Sequence, residues 1–151
     1  MSSSLHLAKV TPENVDAVCR LRLRPGQERF VDPVVVSLAE AYAYGDVAWP
    51  RAVCDGEQVV GFVMAGFEPA HAVQPYRSYL WRLNIAAHRQ GRGYGSFAVE
   101  AVCAEARRRG ERRLWVSWQP GDGGPEPFYE RLGFRVTGEV VDGEIVAERE
   151  L

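Results

Sequence analysis

A glycine-spaced segment, QGRGYGS at residues 90–96, lies between an extended run and a long helical pattern. Glycine allows positive φ angles and lets a ligand approach the main chain closely. A helix that begins directly after such a segment offers unpaired N–H groups and a partial positive charge to an anion. The segment therefore predicts a strand–loop–helix unit that binds a phosphate-bearing cofactor.

Two common phosphate-binding loops fit this segment poorly. The P-loop requires Gly-Lys-Ser/Thr, and no lysine follows these glycines. The dinucleotide fingerprint G-x-G-x-x-A does match residues 93–98, and Glu111 lies about 20 residues further on. However, residues 86–90 separate its glycines from the preceding strand, and the remaining chain is too short for a doubly wound sheet. A dinucleotide-binding fold is therefore disfavoured.

The periodicity of the chain predicts one mixed α/β domain over residues 1–151, with the element order β-α-α-β-β-β-α-β-α-β-β. Predicted strands cover residues 4–10, 51–54, 58–67, 78–85, 114–118, 134–141 and 144–151. Predicted helices run from an N-cap at Thr11 to near Pro25, within residues 34–44, over 93–109 and over 126–132. Asp55-Gly56 and Asp142-Gly143 predict hairpin turns.

Apolar spacing also predicts which side of each long helix faces the core. The first helix would bury Val15, Val18, Cys19 and Leu23, and the third would bury Phe97, Ala101, Val102 and Ala104. Cys19 and Cys103 are thus interpreted as small core residues. With Cys54 they form an odd set without paired spacing, which favours a reducing cytoplasm over a disulfide framework.

Composition excludes several other classes of protein. A formal net charge of −2 disfavours nucleic-acid binding, although basic residues concentrate between positions 82 and 113. No apolar run approaches the roughly 18 residues of a membrane span, and no export signal is visible. The three histidines are scattered, so no metal site is predicted. We therefore expect a cytoplasmic protein without membrane or nucleic-acid partners.

The segment at residues 90–95 also matches Q/R-x-x-G-x-G/A and resembles the pyrophosphate loop of the GNAT superfamily of N-acetyltransferases. It follows the strand ending Leu83-Asn84-Ile85, and FYERLGF at residues 128–134 is similar to the "FYEKLGF" segment of that family. SWQPGD at residues 117–122 occupies the place of the family's S-x-x-P-x-N. The resemblance implies a mostly antiparallel, twisted central sheet flanked by helices.

Within that superfamily, the N-terminal half resembles the bacterial diamine and spermidine acetyltransferases. The resemblance is carried by Gln27, Phe30-Val31, SLAEA at 37–41, GFVM at 61–64 and WRL at 81–83. The chain departs from the family at Asp122, where asparagine is usual, and at Pro125, where alanine is usual. Ionised aspartate only accepts hydrogen bonds, which puts the contact of Asp122 with the cofactor in question.

The resemblance implies acetyl-CoA as co-substrate, with no metal. The strand ending at Ile85 would pair with the pantetheine amides, as a ligand adds a strand to a sheet edge. The glycine-spaced loop would direct its N–H groups to the pyrophosphate, and Arg89 or Arg92 would add charge-assisted contacts. The implied cofactor-binding residues are Leu83, Asn84, Ile85, Gln90, Gly91, Arg92, Gly93, Tyr94, Gly95, Ser96 and Asp122.

Family position also implies that Tyr129 is the general acid. A phenol resembles an alkyl thiol in acidity and can protonate a departing thiolate. Glu68, at a strand end, is the candidate base, with Glu28 and Glu40 as alternatives on the acceptor side. A non-catalytic interpretation remains open for both residues: Tyr129 as an aromatic packed in the core and Glu68 as a solvated surface residue. Aromatic candidates for the acceptor pocket or the core are Phe30, Tyr42, Trp49, Tyr76, Trp81 and Trp118.

The predicted function is acetyl-CoA-dependent N-acetylation of a primary amine on a small molecule, with a polyamine-like amine favoured. Acetylation of an antibiotic, an amino acid or a peptide N-terminus remains an alternative. An acyl-CoA-binding sensor without turnover is the alternative outside enzymes. The sequence also leaves a homodimer open.

Overall fold

The computed structural model describes residues 4–151, which form a seven-stranded sheet with two helices against each face. The strands are β1 (Leu5–Ala8), β2 (Ala48–Asp55), β3 (Gln58–Phe67), β4 (Ser78–Ile85), β5 (Arg113–Trp118), β6 (Arg135–Val141) and β7 (Glu144–Glu150). The helices are α1 (Val15–Cys19), α2 (Val34–Tyr44), α3 (Tyr94–Arg108) and α4 (Glu126–Arg131). The element order is the predicted one, while residues 1–3 of the predicted domain lie outside the described residues.

The sheet is antiparallel except at its centre, where β4 and β5 run parallel. Its strand order is β1-β2-β3-β4-β5-β7-β6. β4 and β5 pair only at Tyr79–Trp115 and Leu80–Val116. Beyond Leu80 the two strands separate, so residues 81–85 of β4 turn an edge toward a gap in the middle of the sheet.

A β-bulge in β4 lies at the start of this separation. Met64 of β3 pairs with Arg82, and the next residue, Ala65, pairs with Leu80, so Trp81 is the extra residue. A bulge bends its strand and increases the local twist. The bulge at Trp81 therefore accounts for the divergence of β4 from β5.

Each face of the sheet has its own core, and β3 contributes to both because its side chains alternate between faces. Val63, Ala65 and Phe67 point toward α3 and α4. Phe62 and Met64 point toward α1 and α2. Because β3 is covered on both sides, its sequence is almost continuously apolar.

Several predicted details near α1 and β2 are wrong. α1 has only five residues, its N-cap is Asn14 and not Thr11, and Cys19 is exposed. The Asn14 side chain accepts from the N–H of Thr11, which closes a turn where the helix was expected to begin. The β2–β3 turn contains Gly56 and Glu57, one residue later than predicted, because Asp55 still pairs with Gln58.

The predicted core face of α3 is also rotated. Of the four residues expected to be buried, only Val102 is fully buried, whereas Phe97 packs at the margin of the core. The residues that face the sheet are Tyr94, Ala98, Val99, Val102, Cys103 and Ala106. The small side chains among them let α3 approach the sheet closely.

Candidate functional site

A cavity of about 1680 Å³ fills the gap between β4 and β5. On the α3–α4 side it is lined by Leu83, Ile85 and Tyr129, which belong to or pack against that core. On the α2 side it is lined by Tyr44 and Trp81. The cavity therefore opens to both faces of the sheet, and two molecules could meet inside it from opposite sides.

The glycine-spaced loop forms one wall of the cavity and leads into α3. Gly91 and Gly93 have φ of 79° and 84°, in the left-handed region that favours glycine. Gly93 is the N-cap of α3, and no side chain caps the helix. A Cβ atom added at either glycine would meet only open space. The first-turn N–H groups of α3 are therefore available to an anion.

The third glycine of the loop has a packing role. A Cβ atom at Gly95 would lie 3.2 Å from the ring of Phe128 in α4 and 3.8 Å from Ile85 in β4. Glycine at this position lets α3, α4 and β4 meet closely beside the cavity.

Side chains of the loop anchor it to the rest of the protein. The Gln90 Nε2 donates to the main-chain oxygen of Ile85 at 2.9 Å and to the Gln27 Oε1 at 2.8 Å, and the Gln90 Oε1 accepts from the Gln27 Nε2 at 3.1 Å. On the other side, the Tyr94 hydroxyl donates to Asp55 at 2.6 Å. These contacts hold the loop through its side chains, and none of them uses an N–H group of its main chain.

Arg89 also belongs to this anchoring. It donates to Gln58 and lines the cavity, whereas Arg92 is exposed and does not line it. Sequence reasoning missed the partners Gln27, Asp55 and Gln58, since each is distant from the loop along the chain.

The β4 edge presents its main chain and two apolar side chains to the cavity. Leu83 and Ile85 line it, but Asn84 is 2% exposed and points to the other face of the sheet. There the Asn84 Nδ2 donates to the main-chain oxygen of Asp32 at 3.1 Å. A ligand in the gap would therefore contact the main chain of Asn84 and not its side chain.

Tyr129 lies deep in the cavity wall and is 7% exposed. Its ring stacks on Trp118 with centroids 5.6 Å apart and makes edge contacts with Phe128 and Phe134. Its hydroxyl has no hydrogen-bond partner within residues 4–151, yet it is not sealed from the cavity. Burial raises the pKa of Tyr129 well above that of a free phenol. The phenol is therefore protonated over the whole physiological range.

The predicted base and its alternatives all line the cavity but differ in their partners. Glu68 follows β3, is 43% exposed and has an oxygen 3.6 Å from His71 Nε2. Glu40 is paired with Arg82 at 3.0 Å, and Arg82 also contacts Asp32 at 2.8 Å. Glu40 and Asp32 therefore share one guanidinium, and the Glu40 carboxylate is held in an ion pair. Glu28 also lines the cavity.

The loop between β5 and α4 covers part of the gap. The main-chain oxygen of Asp122 accepts from Arg29 at 2.6 Å. The ring of Phe30 lies against Gly121 and Gly124, where an added Cβ would be 3.6 and 3.4 Å away. The segment before α2 therefore crosses the gap and contacts the opposite wall, with Asp122 lining the cavity.

Four of the six predicted pocket aromatics line the cavity: Phe30, Tyr76, Trp81 and Trp118. Tyr42 is 91% exposed on α2, and Trp49 packs on Phe67 instead. Five further lining residues were not predicted from the sequence: Tyr44, Tyr79, Phe128, Asp142 and Glu144. Alternation along β4 could have identified Tyr79, but Asp142 is brought in by a distant hairpin.

No helix among the described residues is long and apolar enough to cross a membrane. Within residues 4–151, no group of three or more histidine, cysteine or acidic side chains is arranged to hold a metal ion.

The sequence model of the acetyltransferase (GNAT) family matches residues 15–134. Among solved structures, an acetyltransferase from Thermus thermophilus is 25% identical, with a TM-score of 0.77 over 98% of this chain and 97% of that one. A GNAT family acetyltransferase from Elizabethkingia anophelis with acetyl-CoA bound is 16% identical, with a TM-score of 0.67 over 97% of each chain. The PaiA N-acetyltransferase from Thermoplasma acidophilum, in complex with coenzyme A, is 12% identical, with a TM-score of 0.69 over 98% of this chain and 99% of that one. None of the curated proteins is significantly similar in sequence.

Proposed function

Because this chain belongs to the acetyltransferase (GNAT) family, we propose that it transfers the acetyl group of acetyl-CoA directly to a primary amine of a small molecule. The observation that carries the proposal is the gap between β4 and β5, which brings the glycine-spaced loop and the Tyr129 phenol to one cavity. A polyamine-like amine is the favoured acceptor.

The residues around the gap fit acetyl-CoA. The uncapped start of α3 at Gly93 would hold the pyrophosphate through main-chain N–H groups. The edge of β4 at residues 81–85 would pair with the pantetheine amides. Two of the structural neighbours carry acetyl-CoA or coenzyme A, which supports the same co-substrate here.

Bound acetyl-CoA supplies an acyl thioester, and side chains of the cavity would carry out the proton transfers. Glu68 would take the proton that an ammonium must lose before its nitrogen attacks the acyl carbon. As the C–N bond forms and the C–S bond breaks, Tyr129 would give its proton to the sulfur, and the second proton that the nitrogen loses in becoming an amide would restore the phenol. The raised pKa of Tyr129 keeps the phenol proton in place until negative charge develops beside it.

The charge of the cavity supports a cationic acceptor. The acidic residues that line it outnumber the lining arginines: the acids are Glu28, Asp32, Glu40, Glu68, Asp122, Asp142 and Glu144, and the arginines are Arg29, Arg82, Arg89 and Arg131. Carboxylates attract an ammonium group and repel an acidic acceptor. We also propose a cytoplasmic location, which suits the three free cysteines, and no nucleic-acid partner; a homodimer is the assembly to test first.

An acetyl-CoA assay with a free-thiol readout and a panel of amines tests the function. We expect thiol release with diamines or spermidine to exceed that with amino acids, an aminoglycoside or a peptide. Turnover of the aminoglycoside or the amino acids alone would overturn the polyamine preference. Tight binding of acetyl-CoA without thiol release from any amine would indicate a sensor instead of an enzyme.

A further inference from the structure

Four aromatic side chains form a continuous row on the α2 side of the cavity, and we call this row the aromatic mouth: Tyr44, Trp81, Tyr79 and Tyr76. The ring centroids of Tyr44 and Trp81 are 5.2 Å apart, those of Trp81 and Tyr79 are 5.6 Å apart, and those of Tyr79 and Tyr76 are 5.8 Å apart. Because these rings are contributed by α2, by β4 and by the turn before β4, the row exists only in the folded protein.

Tyr79 occupies the middle of the mouth because its cross-strand neighbour is Gly66. The two residues pair between β3 and β4, and the Tyr79 ring lies where a Cβ atom of residue 66 would be, 2.6 Å from Cε1. The Tyr79 hydroxyl has no hydrogen-bond partner in the part of the chain that the structure describes. Burial is the main cause that raises the pKa of Tyr79 to about 12, so the ring is neutral and its oxygen can accept a hydrogen bond.

A carboxylate stands beside the mouth. Asp142, in the β6–β7 turn, accepts a hydrogen bond of 3.1 Å from the Tyr76 hydroxyl. A carboxylate has further lone pairs, so this bond leaves room for a second donor. The other nearby acid of the hairpin, Glu144, is engaged by Ser117 at 2.7 Å and by Gln119 at 3.3 Å.

A positive charge beside the mouth is already paired with carboxylates. Arg82 lies 5.8 Å from the centroid of Trp81, and its guanidinium bonds both Asp32 and Glu40. Glu68 is near enough to Tyr79 to contribute to the raised pKa of that phenol. The mouth is therefore a neutral aromatic surface flanked by the carboxylates of Asp142 and Glu68.

We propose that the aromatic mouth binds a second, non-reacting ammonium group of the acceptor between the rings of Tyr76 and Tyr79 and the carboxylate of Asp142. Aromatic faces attract organic cations, and the attraction strengthens where water is excluded. An acceptor whose non-reacting end is a carboxylate would bind less tightly, because the same ring faces and acidic side chains repel an anion. The inference rests on the proposed function and makes the acceptor a linear organic dication.

Three amines of equal chain length test the subsite: 1,4-diaminobutane, butylamine and 4-aminobutanoate, whose remote groups are a cation, a methyl and an anion. After division by two for its two equivalent amines, we expect kcat/KM of diaminobutane to exceed that of butylamine about tenfold. The 4-aminobutanoate should be the poorest acceptor. Equal values for diaminobutane and butylamine, or a preference for 4-aminobutanoate, would overturn the subsite.

Asp142→Asn removes the negative charge of the subsite while keeping the size of the side chain. Asp142 has φ of 51°, and asparagine tolerates this region as well as aspartate does, so the hairpin should be retained. We expect the ratio of diaminobutane to butylamine to fall severalfold, mainly through KM for the diamine. Glu139→Gln is the matched control, since it removes an exposed acid of the same hairpin that does not line the cavity. An unchanged ratio in Asp142→Asn, or an equal fall in both variants, would contradict the assignment.

Calorimetry separates failure of the subsite from failure of the proposed function. Each amine is titrated into the protein with coenzyme A present. If no amine releases thiol but diaminobutane binds more tightly than butylamine and loses this advantage in Asp142→Asn, the subsite stands and the function fails. If amines are acetylated without a diamine preference, the function stands and the subsite fails. Absence of both turnover and selective binding overturns both.

Discussion

The hydroxyl of Tyr94, the first residue of α3, donates a 2.6 Å hydrogen bond to Asp55 at the end of β2. Asp55 also accepts from Ser4, and Arg89, just before the glycine-spaced loop, donates to Gln58 in the same hairpin. The loop is thus attached to one hairpin on both of its sides. Its main chain is held in place before any anion arrives, which lowers the ordering cost of binding.

Tyr94→Phe tests this attachment because it keeps the buried ring and removes only the hydrogen bond to Asp55. We expect the free energy of unfolding to fall by about 1 kcal/mol, and the Kd for acetyl-CoA to rise about threefold to tenfold, as measured by calorimetry. Tyr42→Phe, at a 91% exposed tyrosine, should change neither quantity. Unaltered affinity in Tyr94→Phe would show that the loop does not depend on this bond.

Asp55 should also confer a pH dependence on stability. Hydrogen bonds from Ser4, and then from Tyr94, lower the pKa of Asp55 below its ordinary value of 3.8. A carboxyl with a lowered folded-state pKa stabilises the protein above its unfolded-state pKa, and this contribution is lost as the pH falls through the folded-state pKa. Denaturant titrations of the wild type and Asp55→Asn should therefore differ at about pH 7, and the difference should shrink as the pH falls below the ordinary pKa of 3.8 and through the lowered one. A difference that grows on acidification would contradict this sign.

Substitution of two glycines at opposite ends of α3 distinguishes the effect of lost ligand contact from the effect of backbone strain. Gly93 and Gly110 both have φ of 84° and open space around a would-be Cβ atom, but only Gly93 lines the cavity. Alanine should cost each site about 1–2 kcal/mol of backbone strain. Gly93→Ala should also weaken acetyl-CoA binding about tenfold, or about 1.4 kcal/mol, while Gly110→Ala should not. Equal affinities in the two variants would refute a main-chain anion site at Gly93.

Tyr129→Phe keeps the stack on Trp118 and removes the proton that Tyr129 would donate. If this proton goes to the leaving sulfur, kcat should fall by roughly 10² to 10⁴, and kcat/KM should fall with it. Acetyl-CoA affinity and thermal stability should change little. A thioester with a more acidic thiol should restore most of the activity, since its thiolate needs less protonation. If Tyr129→Phe turned over at the wild-type rate, Tyr129 would have only a packing role.

The overlap of Gly66 with Tyr79 predicts strong coupling in a double-mutant cycle. Gly66→Ala should destabilise the protein by about 1–3 kcal/mol, because its Cβ would meet the Tyr79 ring. In a Tyr79→Leu background the same substitution should cost less, because the overlapping ring atoms are gone. Denaturant titration of the four proteins measures the coupling. Strictly additive changes would contradict the close packing of these two residues.

Local patterns predicted those parts of the molecule that depend on neighbours in sequence. β4 was predicted at residues 78–85 and lies there, and the Asp142-Gly143 hairpin turn and the helix after the glycine-spaced loop were also predicted. The helical faces were less accurate: α3 buries Ala98 and Val99 where Phe97 and Ala104 were expected, although the predicted burial of Cys103 is confirmed. A helix can rotate by part of a turn without changing its periodicity, and contact with the sheet decides the outcome.

The sequence by itself determined the element order, the left-handed positions of the loop and the residue types available for catalysis. Only the tertiary structure decided that Trp81 bulges, that β4 leaves β5 after Leu80, and that Asp142 reaches Tyr76. Backbone conformation and turn chemistry act over a few residues, so a short stretch of sequence carries them. Strand register and contacts between distant segments depend on how two faces of the sheet are packed at once, and no single segment encodes that.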